Sequence, residues 1–220
     1  MWKEPVFFSV TQLPMPIPAR IRASRHHMFP ITVKPTGADI AISRVILRNT
    51  APAPEAVARA VTWGADEKVL LAVAAAGWLA TRGRGEALQR AGNHVLLVTV
   101  AASLLPHGLK GLVNQIRPDR TTILGHVHGI SMSGKREDAF PSGHALHMGA
   151  LASIAGALSP GPRAVIRTLA LGLSLTRVFV LAHWLSDVAV GFALGVGLER
   201  SVRLWTGFPK DRTCGSRERC

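Results

Sequence analysis

Residues 139–144, Ala-Phe-Pro-Ser-Gly-His, form the segment that decides the fold. They read as a polar turn directly before an apolar run. Ser142 can cap a following helix, because its hydroxyl can accept a hydrogen bond from a backbone N–H of the first turn. Gly143 lets the backbone approach a ligand closely, and the N–H groups at a helix start favour an anion. His144 would lie beside such an anion, within reach of a leaving group as a general acid. A simple helix cap with an interfacial histidine explains the same residues without a ligand.

A basic segment precedes this turn, with Lys110 and Arg117 seven residues apart and Pro118 directly after them. Seven residues are two helical turns, so the spacing predicts both cations on one face of a helix that Pro118 ends. A guanidinium offers phosphate a planar pair of donors, whereas an ammonium acts as a point charge. Basic side chains that reach from a membrane helix to the interface would give the same pattern.

A second basic segment follows the turn and contains Arg177, His183 and Asp187. His183 and Asp187 lie four residues apart, which on a helix places the carboxylate below the imidazole. A carboxylate that holds one ring nitrogen fixes the tautomer and leaves the other nitrogen free as a nucleophile. A salt bridge or capping pair at a helix end remains the alternative. Cations in apolar surroundings need a partner, and a phosphate dianion is the partner that all three segments suit.

Five apolar stretches predict an all-α, membrane-embedded helical bundle with four to five transmembrane helices: residues 69–80, 94–106, 145–158, 168–182 and 188–198. Several are shorter than the roughly 20 residues of a lone spanning helix, but their flanks lengthen them, as in 66–81 and 187–202. The run Ser-Pro-Gly-Pro at 159–162 is expected to break the chain between two of them.

Arginines cluster at three of the connections between these stretches, which the positive-inside rule places in the cytoplasm: Arg82, Arg84 and Arg90; Arg163 and Arg167; Arg200 and Arg203. The two other connections, near 107–144 and 177–187, then lie together on the opposite side with every candidate site residue. A net charge of +13 suits the anionic face of a bilayer. Nucleic acid is disfavoured as a partner, because the arginines lie beside apolar runs rather than among polar and aromatic residues.

Taken together, the three segments resemble the type 2 phosphatidic acid phosphatase superfamily, which also contains bacterial acid phosphatases and vanadium haloperoxidases. The family signature is K-x6-RP, then PSGH, then SR-x5-H-x3-D. It matches here at residues 110–118, 141–144 and 176–187 with every internal spacing intact. Thr176 stands where the family usually has Ser, and it keeps the hydroxyl.

The resemblance implies a role for each matching residue. His183 would attack phosphorus to form a phosphohistidine, Asp187 would support its positive charge, and His144 would protonate the leaving oxygen and then activate water. The residues implied to bind phosphate are Lys110, Arg117, Ser142, Gly143 and Arg177. No metal or other cofactor is implied, since three fixed cations supply the positive charge. His126 and His128 are expected to be solvated loop residues rather than metal ligands.

The expected protein is therefore an integral membrane phosphatase that acts on a lipid phosphate or an isoprenyl (di)phosphate. Its active site would face the periplasm or exterior of a bacterial inner membrane. The alternatives are a soluble-type acid phosphatase or haloperoxidase, and a catalytically inert membrane protein of the same fold. Residues 1–60 are expected to be a loosely ordered lead-in, 61–205 the phosphatase domain, and 206–220 a basic tail.

Overall fold

The computed structural model describes residues 31–49, 57–58, 60–118 and 138–209. Within these residues the chain is mostly helical, with α1 Gly37–Asn49, α2 Glu67–Ala80, α3 Glu86–Lys110, α4 Gly143–Ile154, α5 Pro160–Phe179 and α6 Leu185–Thr206. Short 3-10 turns occupy Thr62–Ala65 and Ala155–Ala157. Two strands, β1 (Ile31–Thr32) and β2 (Val113–Asn114), pair in parallel. The predicted helical bundle is confirmed in this described part of the chain.

Helix boundaries follow local capping chemistry. Asp66 precedes α2, and its carboxylate accepts hydrogen bonds from the N–H groups of Lys68 at 2.9 Å and Val69 at 3.4 Å. This satisfies donors that have no partner inside the helix. At the other end of the bundle, α6 stops at Gly207, which has the left-handed φ of 62° that favours glycine after a helix.

The Ser-Pro-Gly-Pro run separates two helices as predicted, and it also begins the second of them. Ser159 is the N-cap of α5, and Pro160 is its first residue. The prolines are tolerated there because the first N–H groups of a helix have no partner within it and the fixed φ of proline already suits a helix.

The prediction that Lys110 and Arg117 share one face of a helix is wrong. α3 ends at Lys110, and the chain then becomes extended through β2. The cause is tertiary: Ile31 and Thr32 pair with Val113 and Asn114, so the backbone bonds of this segment go to a strand rather than to a further helical turn.

The closest packing in the bundle is between α4 and α6, which share the most extensive helix–helix contact. A Cβ at Gly149 would overlap the carbonyl oxygen of Phe192, and a Cβ at Gly195 would overlap that of Leu146. Glycine at these positions therefore lets the two backbones touch. Because Ser142, Gly143 and His144 lie at the start of α4 and Asp187 lies in the first turn of α6, this contact sets the spacing between these predicted site residues.

Part of the expected lead-in is folded against the bundle. Ile40 and Leu47 of α1 pack on Ala139 and Trp184, so this helix covers two of the motif segments. The prediction of a loosely ordered segment does not describe residues 31–49, where α1 has its apolar side on the bundle.

Across the described ranges, no helix is both long enough and apolar enough to cross a membrane. The predicted membrane embedding is thus not confirmed by helix length and hydropathy.

We predict that Gly195→Ala lowers the thermal unfolding midpoint of the purified protein. The added methyl meets a backbone carbonyl, which cannot move aside as a flexible side chain can, and overpacking of this kind costs about 1–3 kcal/mol. Gly197→Ala is the matched control on α6, because nothing lies within 4 Å of its added Cβ. Equal midpoints for the two variants would contradict the proposed backbone contact.

Candidate active site

The candidate site lies at one end of the bundle, where α3 and α5 end and α4 and α6 begin. His183 interacts electrostatically with Arg117, Arg177, Lys110 and His144. The structure thus brings together the charged and imidazole groups from all three motif segments, as the sequence predicted.

His183 lies in the turn between α5 and α6 and is 2% exposed. Its backbone N–H donates to the carbonyl oxygen of Arg177 at 3.2 Å, and its Nδ1 lies 2.7 Å from the carbonyl oxygen of Ala139. A carbonyl can only accept a hydrogen bond, so Nδ1 carries the proton and Nε2 keeps its lone pair. This is the tautomer that a nucleophilic histidine needs.

The surroundings of His183 also keep the imidazole neutral. Burial lowers the pKa of His183 well below its usual range, and the nearby charges of Arg117, Arg177 and Lys110 lower it further. A neutral ring is required for attack through Nε2.

Asp187 is not the residue that holds the imidazole most closely, which corrects the predicted histidine–aspartate pair. Its Oδ2 accepts a hydrogen bond from the N–H of Trp184 at 2.9 Å and lies 3.7 Å from Nδ1 of His183. The reason is that α6 begins at Leu185, so His183 precedes the helix and the spacing of residues within a helix does not apply. Asp187 caps the helix and places its carboxyl group beside the ring.

Arg117 and Lys110 both contact Asp138, which the sequence analysis did not assign to the site. Arg117 donates to Asp138 Oδ1 from Nε at 3.0 Å, with the second guanidinium nitrogen at 2.9 Å, and to the carbonyl oxygen of Ala182 at 3.1 Å. Lys110 Nζ lies 3.7 Å from Asp138 Oδ2. A carboxylate thus occupies donors that a phosphate would use. The signal for this contact in the sequence was the position of Asp138 directly before the Ala-Phe-Pro-Ser-Gly-His turn.

Ser142 caps α4 as predicted, because its hydroxyl accepts from the N–H of Ala145 at 3.4 Å. Its own N–H donates to the carbonyl oxygen of Asp187 at 3.2 Å, which joins the starts of α4 and α6. Gly143 and His144 are the first two residues of α4, where backbone N–H groups and the helix dipole favour an anion.

The remaining predicted cation, Arg177, is buried at the end of α5 and donates to the hydroxyl of Thr62 at 3.4 Å. Thr176 directs its hydroxyl to the carbonyl oxygen of Leu173 at 2.6 Å and also to Thr62 at 3.3 Å. The hydroxyl of Thr176, which the usual serine of the family would also supply, therefore makes hydrogen bonds within the fold.

A second acidic residue outside the predicted set, Asp39 of α1, accepts hydrogen bonds from the backbone and hydroxyl of Ser186, next to Asp187. No local pattern in the sequence indicated this contact. The loop that contains His126 and His128 lies outside the described residues. Among the residues that are described, no group of three or more His, Cys, Asp or Glu side chains could hold a metal ion.

The chain matches the family model of the PAP2 superfamily over residues 91–210. It is 34% identical over 105 residues to the lipid A 1-phosphatase of Rhizobium johnstonii, a region that covers 47% of this chain and 43% of that protein. It is 33% identical over 103 residues to the decaprenylphosphoryl-5-phosphoribose phosphatase of Mycobacterium tuberculosis, covering 45% and 54%. The chain therefore spans only about half the length of these relatives.

Two solved structures share the fold. The transmembrane PAP2-type phosphatidylglycerolphosphate phosphatase of Bacillus subtilis has a TM-score of 0.60 at 23% identity, covering 80% of this chain and 87% of that one. The LpxE protein of Aquifex aeolicus has a TM-score of 0.59 at 18% identity, covering 78% and 98%. The family model matches more than half of the length of this chain, which therefore belongs to the PAP2 superfamily.

Proposed function

We propose that this protein is an integral membrane phosphatase that hydrolyses a lipid phosphate or an isoprenyl (di)phosphate through a phosphohistidine, without a metal ion. The observation that carries the proposal is the buried His183, whose Nδ1 is bonded to the carbonyl oxygen of Ala139 while the charges of Lys110, Arg117 and Arg177 act on the ring. A neutral imidazole with a free Nε2 beside three cations is suited to attack on a phosphate.

In the first step, Nε2 of His183 attacks phosphorus and the bond from phosphorus to the leaving oxygen breaks. His144 gives its proton to that oxygen, which departs as an alcohol or a phosphate. Lys110, Arg117 and Arg177 hold the equatorial oxygens, together with the N–H groups at the start of α4. The imidazole becomes positive as the bond forms, and the Asp187 carboxylate at 3.7 Å stabilises that charge.

In the second step, His144 removes a proton from water as the water oxygen attacks phosphorus. The nitrogen–phosphorus bond breaks, its electron pair returns to Nε2, and inorganic phosphate leaves. The two steps together consume one water and restore both histidines. Three fixed cations supply the charge stabilisation for which other phosphatases use a metal.

An apolar cavity of about 390 Å³ between α2, α3 and α4 supports a lipid substrate. It reaches His147, one helical turn after His144, and its apolar lining includes Leu70, Val73, Trp78, Val95, Val98 and Leu151. A cavity of this character suits a hydrocarbon chain whose phosphate lies at the site.

Exposed apolar side chains support a membrane setting. On α2 and α3, Val73 is 64% and Leu104 66% exposed, and on α5 both Val165 and Leu169 are 58% exposed. Apolar surface of this extent favours contact with lipid. From the arginine asymmetry of the connections we infer that the site faces the periplasmic or exterior side of a bacterial inner membrane.

We expect the purified wild-type protein to release phosphate from at least one member of a panel of lipid phosphates in detergent with EDTA present. His183→Ala should abolish release, because no other group occupies the position of the nucleophile. His107→Ala, which alters an exposed histidine of α3, is the control and should retain activity. Activity lost to EDTA, or equal in wild type and His183→Ala, would contradict the mechanism. Absence of release from the whole panel would favour the inert protein of the same fold.

We also expect Asp138→Asn to bind orthovanadate, a phosphate mimic, about three- to tenfold more tightly. The carboxylate competes with the anion for Arg117 and Lys110, and a partly exposed charge pair of this kind is worth about 1 kcal/mol. Glu86→Gln makes the same change in net charge far from the site and should leave binding unchanged. The prediction is checked by measuring the orthovanadate inhibition constants of wild type and both variants at fixed ionic strength. Unchanged or weaker binding by Asp138→Asn would show that Asp138 does not compete.

A further inference from the structure

We propose that Asp39 is a positioning residue for the phosphoryl transfer: from α1 it fixes the first turn of α6 and thereby the orientation of His183. The proposal rests on the proposed function, since it concerns the histidine assigned there as the nucleophile. Asp39 lies outside the residues matched by the family model, and it does not touch the reacting atoms in this assignment.

The Asp39 carboxylate is 2% exposed and accepts four hydrogen bonds. Two come from the backbone and hydroxyl of Thr36, the residue directly before α1, both at 2.8 Å. The other two come from the backbone N–H and hydroxyl of Ser186, both at 2.9 Å, across 147 residues of sequence. One carboxylate thus joins the starts of two helices.

Asp39 is charged at neutral pH. Burial raises the pKa of Asp39, but the hydrogen bonds from Ser186 and Thr36 outweigh it and hold the pKa below its usual range. A negative charge at the start of a helix also interacts favourably with the helix dipole, here that of α6.

The contact bears on the nucleophile because of what the first turn of α6 carries. Asp187 caps the N–H of Trp184 from within the helix, and Asp39 caps the N–H of Ser186 from outside it. His183 directly precedes Trp184. If the N–H of Ser186 lost its partner, the turn would fray and the imidazole would lose its alignment with the carbonyl oxygen of Ala139.

The same segment also touches the other motif segments. Val33 donates its N–H to the carbonyl oxygen of Asn114 at 3.0 Å, between Lys110 and Arg117 in sequence. Ile40 packs on Ala139, the residue that accepts from His183. Residues 31–49 therefore contact both segments that the His183–Ala139 hydrogen bond joins: the segment that contains Ala139 and the first turn of α6, which follows His183.

A purely local role for Asp39 would be to cap α1, since it exchanges hydrogen bonds with Thr36 in both directions. The two roles are separable. Thr36→Ala weakens the cap of α1 and leaves the Ser186 contact, whereas Ser186→Ala removes the hydroxyl bond and leaves the cap.

The experiment measures kcat and KM for Asp39→Ala, Asp39→Asn, Ser186→Ala and Thr36→Ala on a substrate for which wild-type turnover depends on His183. Asp39→Ala should lower kcat about 10- to 100-fold, as expected for a displaced reacting group, with KM within about threefold of wild type. Asp39→Asn keeps an acceptor for Ser186 and should recover most of the loss. Ser186→Ala should lower kcat in the same direction, and Thr36→Ala should keep kcat while lowering the unfolding midpoint.

Wild-type kcat in Asp39→Ala, or an equal loss of kcat in Thr36→Ala, would overturn the proposal while leaving the phosphatase assignment standing. Absence of turnover that depends on His183 in wild type would instead refute the proposed function. Hydrogen exchange then decides the positioning role, since amides 183–188 should exchange roughly tenfold faster in Asp39→Ala and not in Thr36→Ala. Unchanged exchange in Asp39→Ala would overturn it.

Discussion

The hydrogen bond from His183 Nδ1 to the carbonyl oxygen of Ala139 is the contact on which the site depends, because it selects the tautomer of the proposed nucleophile. Each partner is fixed by its own backbone. Ala139 donates its N–H to the carbonyl oxygen of Gln115 at 3.1 Å, and His183 donates its N–H to that of Arg177. The bond therefore requires that two connections at one end of the bundle, α3–α4 and α5–α6, keep their relative positions, and the helices on either side hold them there.

The second constraint is charge. Three cations and two imidazoles share a largely buried space, which is costly unless oxygen atoms surround them. Without phosphate, the oxygens come from Asp138, from the carbonyl of Ala182 and from the hydroxyl of Thr62. These are exchangeable partners, since a phosphate offers oxygens of the same kind with more charge. These contacts hold the cations in place, and under the proposed function a phosphate would replace some of them.

The sequence predicted the identity of the site residues better than their geometry. Motif spacing predicted that Lys110, Arg117 and His183 share one site, and the structure brings these three residues together. It failed for the backbone between Lys110 and Arg117, since the strand that extends it lies far earlier in the chain. The role of Asp39 was not predictable for the same reason, as Ser186 is 147 residues away and no local pattern links them. The position of a helix start matters equally: α6 begins at Leu185, two residues after His183, so His183 and Asp187 do not share a helix.

Contacts at the end of α6 far from the site explain how the first turn of this helix can keep a fixed position. There Glu199 is buried and accepts hydrogen bonds from Ser153 at 2.5 Å and Arg203 at 2.8 Å, with His94 Nε2 at 3.0 Å. This joins α6 to α3 and α4, while Gly195 holds it against α4 midway along its length. These contacts hold the far end and the middle of α6 against its neighbours, so the position of its first turn depends on the contacts made at that turn. That turn is where Asp39 acts, and phosphoryl transfer depends on positioning and electrostatics more than on any other protein contribution.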